Sequence, residues 1–358
     1  MKIILISLTF FVLPSQLLTD TFDHWKINNN ILFKNFTLDS IKREIFEANK
    51  IKVFAHNENI LNTFKLQLNK FAAHSVEEFI LERCGAKRKL ATTNFNPFNF
   101  FSMLKTVRTI RGTEKSRKSF SLDSSKSTPA TLNNTRYTLP ILDQGQCGSC
   151  WAFASMSVIE SKLMIKDNSY NTSLSPQYLM DCDIKDMALD GQQLLLVKWG
   201  YLQTNALFLK YLGGGNNAPS VQSYPYKAAQ TPACLSSLFM PTISLGITDV
   251  IENDLNGNET ALQALVANEG SVGVAVDATH YFQLYSSGVL DDKTADNTCT
   301  SVNHAVVLVG YGTDSLYGDY WLVKNSWGAD WGENGMVRVA RNKNNSINIA
   351  CFIYYVHL

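Results

Sequence analysis

Apolar side chains change their spacing along this chain of 358 residues. Between residues 20 and 83 they recur at helical intervals, and the run from Trp151 to Ile165 is apolar almost throughout, which predicts a buried helix. From Ile243 onward the pattern becomes that of strands, with alternating or continuous apolar runs at residues 271–276, 282–288, 304–310, 320–323 and 336–340. A helical half followed by a strand-rich half predicts an α+β fold with two lobes and a cleft between them.

The N-terminus reads as a targeting segment. Met1 to Leu13 is a short basic start followed by an apolar run that is too short to span a bilayer comfortably. We interpret residues 1–19 as a secretory signal peptide rather than a buried helix, and we expect no membrane span. Secretory entry permits disulfides, and it makes the sequons potential glycosylation sites; these lie at Asn35, Asn133, Asn171, Asn258 and Asn344.

Charge is distributed unevenly although the net charge is only +1. Residues 84–128 carry ten Lys/Arg against two Asp/Glu and show no periodicity, which predicts a mobile linker. Its basic run, Arg108 to Lys118, is either a processing site or a solvated stretch. Residues 129–358 carry twelve Lys/Arg against twenty Asp/Glu, a net charge of −8 that argues against a nucleic-acid partner. A hydrophobic content of 45% is ordinary for a globular protein.

The stretch from Gln144 to Phe153 contains the candidate nucleophile, Cys150. A cysteine at the start of a helix is placed where free N–H groups and the helix dipole favour the thiolate, with Ser149 as the expected N-cap. Gln144 offers a side-chain N–H to a developing oxyanion. The pair Cys147 and Cys150 also fits a thioredoxin-like redox pair, or a disulfide cysteine beside a free one. A zinc half-site is disfavoured, because no second C-x-x-C or His-x-His cluster completes it.

Two motifs together resemble the papain family of cysteine peptidases. The first is Gln144-Gly-Gln-Cys-Gly-Ser-Cys-Trp-Ala-Phe153, and the second, far along the chain, is Asn325-Ser-Trp-Gly-x-x-Trp-Gly332. Upstream, Phe46-x-x-Asn49-x-x-x-Val53 and the block around Asn69 resemble the ERFNIN-type propeptide of cathepsin L-like members. This propeptide pattern is incomplete, since Leu38, Lys42 and Ala73 replace its usual Glu, Arg and Asp.

The resemblance implies both an architecture and a catalytic set. It implies a papain-like two-lobed fold, with a helical left lobe and a β-barrel-like right lobe, preceded by a helical prosegment. His304 would accept the thiol proton of Cys150 and later protonate the leaving amine, and Asn325 would orient its imidazole under the cover of Trp327. The other five histidines are interpreted as surface or packing residues. The expected divisions are a signal peptide (1–19), an inhibitory propeptide (20–83), a pro-linker (84–128) and a peptidase domain (129–358).

The cysteines depart from the family pattern. By resemblance, Cys182 pairs with Cys234 and Cys299 with Cys351. The usual partner of Cys147 is replaced by Leu189, so Cys147 should be unpaired, and Cys84 should leave with the prosegment. An apparent insertion, Gln192 to Trp199, splits the loop that forms one wall of the cleft. The resemblance also implies substrate-binding residues without a carboxylate: Gly200, Leu202, Ala275, Asn303, Ala305, Trp327 and Val356.

The sequence therefore predicts a cysteine-type endopeptidase made as a secreted or lysosomal zymogen. Its partners would be protein or peptide substrates and its own propeptide as inhibitor, and it would act as a monomer without metal or cofactor. A catalytically impaired relative that acts as a binding or storage protein is the alternative, suggested by the altered cleft wall. A thiol–disulfide oxidoreductase is a further alternative, which would require both Cys147 and Cys150.

Overall fold

The computed structural model describes residues 21–85, 128–182, 216–231, 234 and 241–358. The predicted signal peptide, nearly all of the linker, Leu189, the insertion, Gly200 and Leu202 lie outside these ranges. We call residues 21–85 the prosegment and the described residues from 128 onward the catalytic unit. Within these ranges, no helix is both long enough and apolar enough to cross a membrane.

The helices of the prosegment precede those of the catalytic unit. The long prosegment helix begins after Asn35, whose side chain accepts the amide N–H of Leu38, and the next begins with a capping box between Ser75 and Glu78. The bounds are α1 (Phe22–Asn28), α2 (Phe36–Glu58), α3 (Val76–Arg83), α4 (Cys150–Lys166), α5 (Pro176–Cys182), α6 (Glu259–Glu269) and α7 (His280–Gln283). Short 3₁₀ turns occupy Thr135–Tyr137 and Ser346–Asn348.

The described strands are β1 (Phe64–Leu66), β2 (Leu132–Asn133), β3 (Asn217–Ala218), β4 (Ile243–Ser244), β5 (Asp249–Asp254), β6 (Val272–Val276), β7 (Tyr285–Leu290), β8 (His304–Asp314), β9 (Gly318–Lys324), β10 (Met336–Ala340) and β11 (Phe352–His357). Nine of them form one sheet, in the order β1-β7-β10-β9-β8-β6-β11-β5 with β2 added beside β8. Within this sheet β7 and β10 run parallel, and the other pairs are antiparallel. β3 and β4 pair separately.

Two apolar cores correspond to the two predicted lobes. One fills the strand-rich lobe and continues into the prosegment, joining Phe71 and Phe79 to Phe282 and Trp327. The other packs the inward faces of α4 and α5 against one face of β8. Because the nucleophile helix α4 lies on the strand that begins at His304, the packing of the lobes brings the two predicted catalytic elements together.

Some elements differ from the sequence prediction. The predicted strand at 282–288 begins only at Tyr285, since Phe282 and Gln283 end the short helix α7. α6 interrupts the half in which only strands were expected. β1 lies in the prosegment, where only helices were predicted, and it pairs with β7 of the catalytic unit. Such a three-residue strand exists because a neighbouring edge receives it, so local pattern does not reveal it.

Candidate active site

Cys150 is the first residue of α4 and is fully buried. Its Sγ atom accepts the amide N–H groups of Ala305 at 3.4 Å and Gly85 at 3.2 Å. Burial raises the pKa of the thiol to about 11, although these amides act to lower it. The sequence argument for a thiolate at the helix start is therefore overridden here, because the prosegment covers the sulfur. Ser149 is the N-cap residue, but its hydroxyl contacts the Tyr226 hydroxyl at 2.6 Å instead of capping the helix.

His304 and Asn325 are joined by a hydrogen bond of 2.8 Å between Nε2 and Oδ1. Asn325 Oδ1 also accepts the N–H of Ser326, so this atom is an acceptor and the imidazole Nε2 carries the hydrogen. The remaining nitrogen, Nδ1, is buried without a hydrogen-bond partner among the described residues. Burial lowers the pKa of His304 to about 4, opposed by Asn325. The imidazole is thus neutral, and its Nδ1 atom is an acceptor without a partner among the described residues. The next residue in the chain, Ala305, contacts the Cys150 sulfur through its amide.

Trp327 covers this hydrogen bond from solvent. Its ring stacks on the imidazole of His304, with centroids 4.5 Å apart and planes inclined by 26°. The indole is fully buried. Phe282 and Trp331 of the catalytic unit pack edge-on against it. The orientation of the base is therefore fixed by packing as well as by Asn325.

Hydrogen bonds hold both the nitrogen and the oxygen of the Gln144 side-chain amide. Nε2 donates to the carbonyl of Arg83 and to that of Cys147, both at 2.7 Å. Oε1 accepts the hydroxyl of Ser326 at 2.6 Å, and the main-chain carbonyl of Gln144 accepts the hydroxyl of Tyr226 at the same distance. Ser326 lies inside the second motif, but its contact with Gln144 was not foreseen. Nothing in the local sequence marks Tyr226.

The prosegment passes directly over these groups. The Arg83 carbonyl occupies the donor site of Gln144, where a substrate's carbonyl oxygen would be polarised. The next peptide group donates from Gly85 to the nucleophile sulfur. The fit is close, because a Cβ atom added to Gly85 would lie 1.6 Å from the carbonyl oxygen of Gly148. The arrangement blocks the nucleophile and the oxyanion donor at once.

Further contacts hold the prosegment on the catalytic unit. Phe71 and Phe79 pack edge-on against Trp327, with centroids 5.5 and 4.9 Å away. The Lys70 ammonium contacts Asp143 at 2.6 Å and Asp330 at 2.9 Å. Burial acts to raise the pKa of Asp143, but the Lys70 ammonium and the Gly145 amide outweigh it and lower that pKa.

The predicted specificity pocket is only partly assembled by the described residues. Ala275 and Ala305 lie opposite each other across β6 and β8, and Asn303 precedes this pair. On the other side of β6, β11 places Phe352 opposite Ala275. Val356 pairs with Val250 and lies about 13 Å further along β11, at roughly 3.3 Å per residue. The register therefore places Val356 away from Ala275 along β11, and its membership of the specificity pocket stays a prediction.

The cysteines follow the pairing implied by the resemblance. Disulfides join Cys182 to Cys234 and Cys299 to Cys351. The described cysteines without a disulfide are Cys84, Cys147 and Cys150, all buried. No cluster of three or more His, Cys, Asp or Glu side chains suited to a metal ion occurs in the part of the chain that the structure describes.

Comparison with known proteins gives a consistent result. Residues 128–357 match the family described as "Papain family cysteine protease", and residues 22–79 match the family described as "Cathepsin propeptide inhibitor domain". The chain is 31% identical to cathepsin L of Sarcophaga peregrina over 350 residues, covering 97% of this chain and 95% of that protein. It is 30% identical to cathepsin K of Mus musculus over 353 residues, covering 97% and 96%. The structure of digestive procathepsin L 3 from Tenebrio molitor larval midgut superimposes with a TM-score of 0.73 at 28% identity, covering 94% and 97%.

Proposed function

Since the chain belongs to the papain family of cysteine proteases, we propose that it is an endopeptidase that cleaves internal peptide bonds through an acyl-enzyme on Cys150. The observation that carries the proposal is the contact of Gln144 Nε2 with the Arg83 carbonyl at 2.7 Å. A peptide carbonyl is held there, and the next peptide group of the same segment contacts the nucleophile sulfur, which supports this position as that of a scissile carbonyl.

The proposed mechanism uses the side chains of Cys150, His304, Asn325 and Gln144. Once the prosegment has left, Nδ1 of His304 takes the proton of the Cys150 thiol, and the thiolate attacks the substrate carbonyl carbon. The resulting oxyanion accepts the N–H of Gln144 Nε2. The imidazolium then protonates the leaving amine, and a water activated by the same imidazole hydrolyses the acyl-enzyme. Asn325 keeps the hydrogen on Nε2 throughout, so that Nδ1 remains the proton acceptor.

The proposal extends to specificity and to compartment. Ala275, Ala305 and Asn303, with Leu202 as a further proposed member, bring no carboxylate to the specificity pocket. Leu or Phe two residues before the cleaved bond should therefore be preferred over Arg. The predicted signal peptide favours the secretory pathway, with an acidic vacuole, a lysosome or the extracellular space as destination.

The test is activity of the acid-matured protein on short fluorogenic peptides and on a folded protein substrate. Hydrolysis should disappear in Cys150→Ala, and an epoxide inhibitor of cysteine peptidases should form its adduct on Cys150. Cleavage within the protein substrate would establish an endopeptidase, whereas stepwise release from one end would contradict that part. An inactive matured protein without an adduct would instead support the alternative of a binding or storage protein.

A further inference from the structure

Cys84 is a buried thiol that neither the fold nor the proposed mechanism requires. It lies between the two peptide groups that cross the catalytic centre: the carbonyl of the Arg83–Cys84 peptide contacts Gln144, and the N–H of the Cys84–Gly85 peptide contacts Cys150. Its side chain has no solvent exposure and lies in the apolar cluster that contains Trp327 and Phe282. The peptide groups before and after Cys84 thus hold this residue near the nucleophile.

The geometry places the backbone of Cys84 close to the sulfur of Cys150. Gly85 N is 3.2 Å from the sulfur of Cys150. The Cα atom of Cys84 is two bonds from that nitrogen, so it lies at most about 5.6 Å from the same sulfur. Since the Cα atom of Cys150 lies two bonds from its own sulfur, this bound is compatible with the Cα–Cα separation of about 4.4–6.8 Å that disulfides require. Burial, and after it the charge of Cys150, raises the pKa of the Cys84 thiol well above its usual value.

We propose that Cys84 and Cys150 form a reversible disulfide in the proenzyme, which locks the prosegment onto the nucleophile until a thiol reductant opens it. The inference rests on the proposed function only in that Cys150 is the nucleophile being masked. The other described cysteine without a disulfide, Cys147, lies three residues before Cys150 in the same core cluster, but it is the sulfur of Cys150 that accepts the Gly85 N–H.

The oxidant is a low-molecular-weight disulfide such as oxidised glutathione. The Cys84 thiolate attacks one of its sulfurs, the glutathione S–S bond breaks, and one glutathione leaves as a thiol after taking up a proton. The Cys150 thiolate then attacks the Cys84 sulfur of the mixed disulfide and releases the second glutathione. Two protein thiols and one glutathione disulfide thus become one protein disulfide and two glutathione thiols.

The disulfide should form while the prosegment docks onto the catalytic unit rather than afterwards. In the closed site burial raises the pKa of Cys150 to about 11, so the attacking thiolate is scarce. Once formed, the bond would make acid alone insufficient for release, because the ion pairs and apolar contacts of the prosegment would be backed by a covalent link. Reductant and acid would then both be needed for maturation.

The experiment uses the full-length zymogen, equilibrated during folding with a defined mixture of oxidised and reduced glutathione. After an acid quench, denaturation and alkylation, non-reducing digestion and mass spectrometry locate the disulfides. A linked peptide pair containing Cys84 and Cys150 is expected, and it should vanish after treatment with dithiothreitol. Alkylation of both cysteines in the oxidised protein, or a bond between Cys150 and Cys147, would overturn the proposal.

Maturation provides the second readout. Acid processing of the oxidised wild-type zymogen should accelerate at least tenfold with dithiothreitol, whereas Cys84→Ser should process without reductant and change less than twofold. Cys84→Ala replaces Cys84→Ser if the latter does not fold, and Cys147→Ser is the matched control that should retain the lock. Residue 84 precedes the catalytic unit, so the matured forms of wild type, Cys84→Ser and Cys84→Ala are identical in sequence. If the reduced and matured protein were inactive, the proposed function would fail, while the disulfide map would still decide this inference.

Discussion

Gln144 shows how one side chain serves both inhibition and the proposed chemistry. Its Nε2 atom holds the Arg83 carbonyl in the proenzyme, and the same N–H would face the oxyanion of a substrate. Its Oε1 atom is held by the Ser326 hydroxyl, which prevents the amide from rotating so that oxygen points to the substrate. The donor is therefore oriented before any substrate arrives, which is the condition for strong transition-state stabilisation.

Gln144→Ala should lower kcat of the matured enzyme by about 10²–10³-fold with little change in KM, since the lost hydrogen bond is strongest in the transition state. Steady-state kinetics on a fluorogenic peptide measure both constants. Ser326→Ala keeps the donor and loosens only its orientation, so it should lower kcat far less. A loss below threefold in Gln144→Ala would exclude this side chain as the oxyanion donor.

Gly85 is the residue at which the prosegment chain comes closest to the cleft wall. An added Cβ atom would lie 1.6 Å from the Gly148 carbonyl oxygen, a contact that only a backbone shift can relieve. Gly85→Ala should therefore lift the prosegment off Cys150 and raise the activity of the uncleaved zymogen at neutral pH by at least about tenfold.

That activity is measured with a fluorogenic peptide in reducing buffer, with gel electrophoresis to show that the zymogen is intact. Gly318→Ala is the control: no described atom lies within 4 Å of its added methyl group, so the strain that alanine meets there, at a φ of 88°, stays in the local backbone of β9. Unchanged activity in Gly85→Ala would mean that the chain relaxes around the methyl group without leaving the site.

At the scale of elements, the sequence predicts the central elements of the site well. The apolar run from Trp151 predicts α4 almost to its observed ends, Cys150–Lys166, because this helix is apolar on all sides and has no competing pattern. β10 (Met336–Ala340) is observed as predicted, since one residue in two faces the core. Both signals are local, a continuous apolar run for α4 and an alternation for β10, and so they are visible in any single sequence.

The helix α6 was missed although its signals are present. Leu262, Leu265 and Val266 are buried at helical spacing, Asn258 caps the N-terminus, and Gly270 ends the helix with φ of 82°. The prediction of strands after Ile243 rests on the apolar runs alone, without the capping residues at the two ends of this helix. β1 is a different case, because its pairing with β7 joins residues more than two hundred positions apart and has no local signal.

Ion pairs between the catalytic unit and Lys70, which lies in the turn before α3, provide a test at the scale of elements. Lys70 bridges Asp143 and Asp330, but the two carboxylates are 42% and 63% exposed, so each pair contributes only about 0.2–1 kcal/mol. Lys70→Met should therefore accelerate acid processing about two- to tenfold, and the difference from wild type should shrink in high salt.

The processing rate is followed by gel electrophoresis at fixed pH in low and high salt. Lys26→Met is the control, since Lys26 pairs with Asp23 and Asp39 inside the prosegment and leaves the interface unchanged. Equal acceleration by both substitutions would mean that the prosegment fold, rather than its docking, limits processing.

At the scale of the whole molecule, two histidines meet across the interface between prosegment and catalytic unit. The ring of His56, on α2, lies 5.2 Å from that of Tyr281, which in turn lies 4.0 Å from His280. The sequence left both histidines as surface or packing residues, because neither belongs to a motif and only the docked structure joins them. Burial is the main cause that lowers the pKa of each.

His56 is held in its neutral form by two opposite hydrogen bonds. Nε2 lies 3.0 Å from the Phe64 carbonyl, which can only accept, and Nδ1 lies 3.1 Å from the Asn62 amide nitrogen, which can only donate. Protonation of Nδ1 would break the second bond. Charge around the pair acts in both directions. Lys65 disfavours an additional proton on His56, and Lys52 and His56 disfavour one on His280, whereas Asp292 favours both.

The zymogen should therefore lose stability in acid partly through His56. Because the folded-state pKa is lowered, the neutral histidine contributes fully above the ordinary value of about 6.5, and its contribution falls as the pH drops below that value. The slope of the free energy of unfolding against pH is at most about 1.4 kcal/mol per pH unit for each additional proton bound by the unfolded state.

His56→Gln keeps a donor for Phe64 and an acceptor for Asn62 without a titrating group, so its melting temperature should fall less than that of wild type between pH 7 and pH 5. The measurement is thermal melting of full-length zymogens in a Cys150→Ala background, which prevents self-cleavage, with the exposed His24→Gln as control. If wild type and His56→Gln lose stability in parallel over this range, the acid sensitivity of the docked prosegment lies elsewhere.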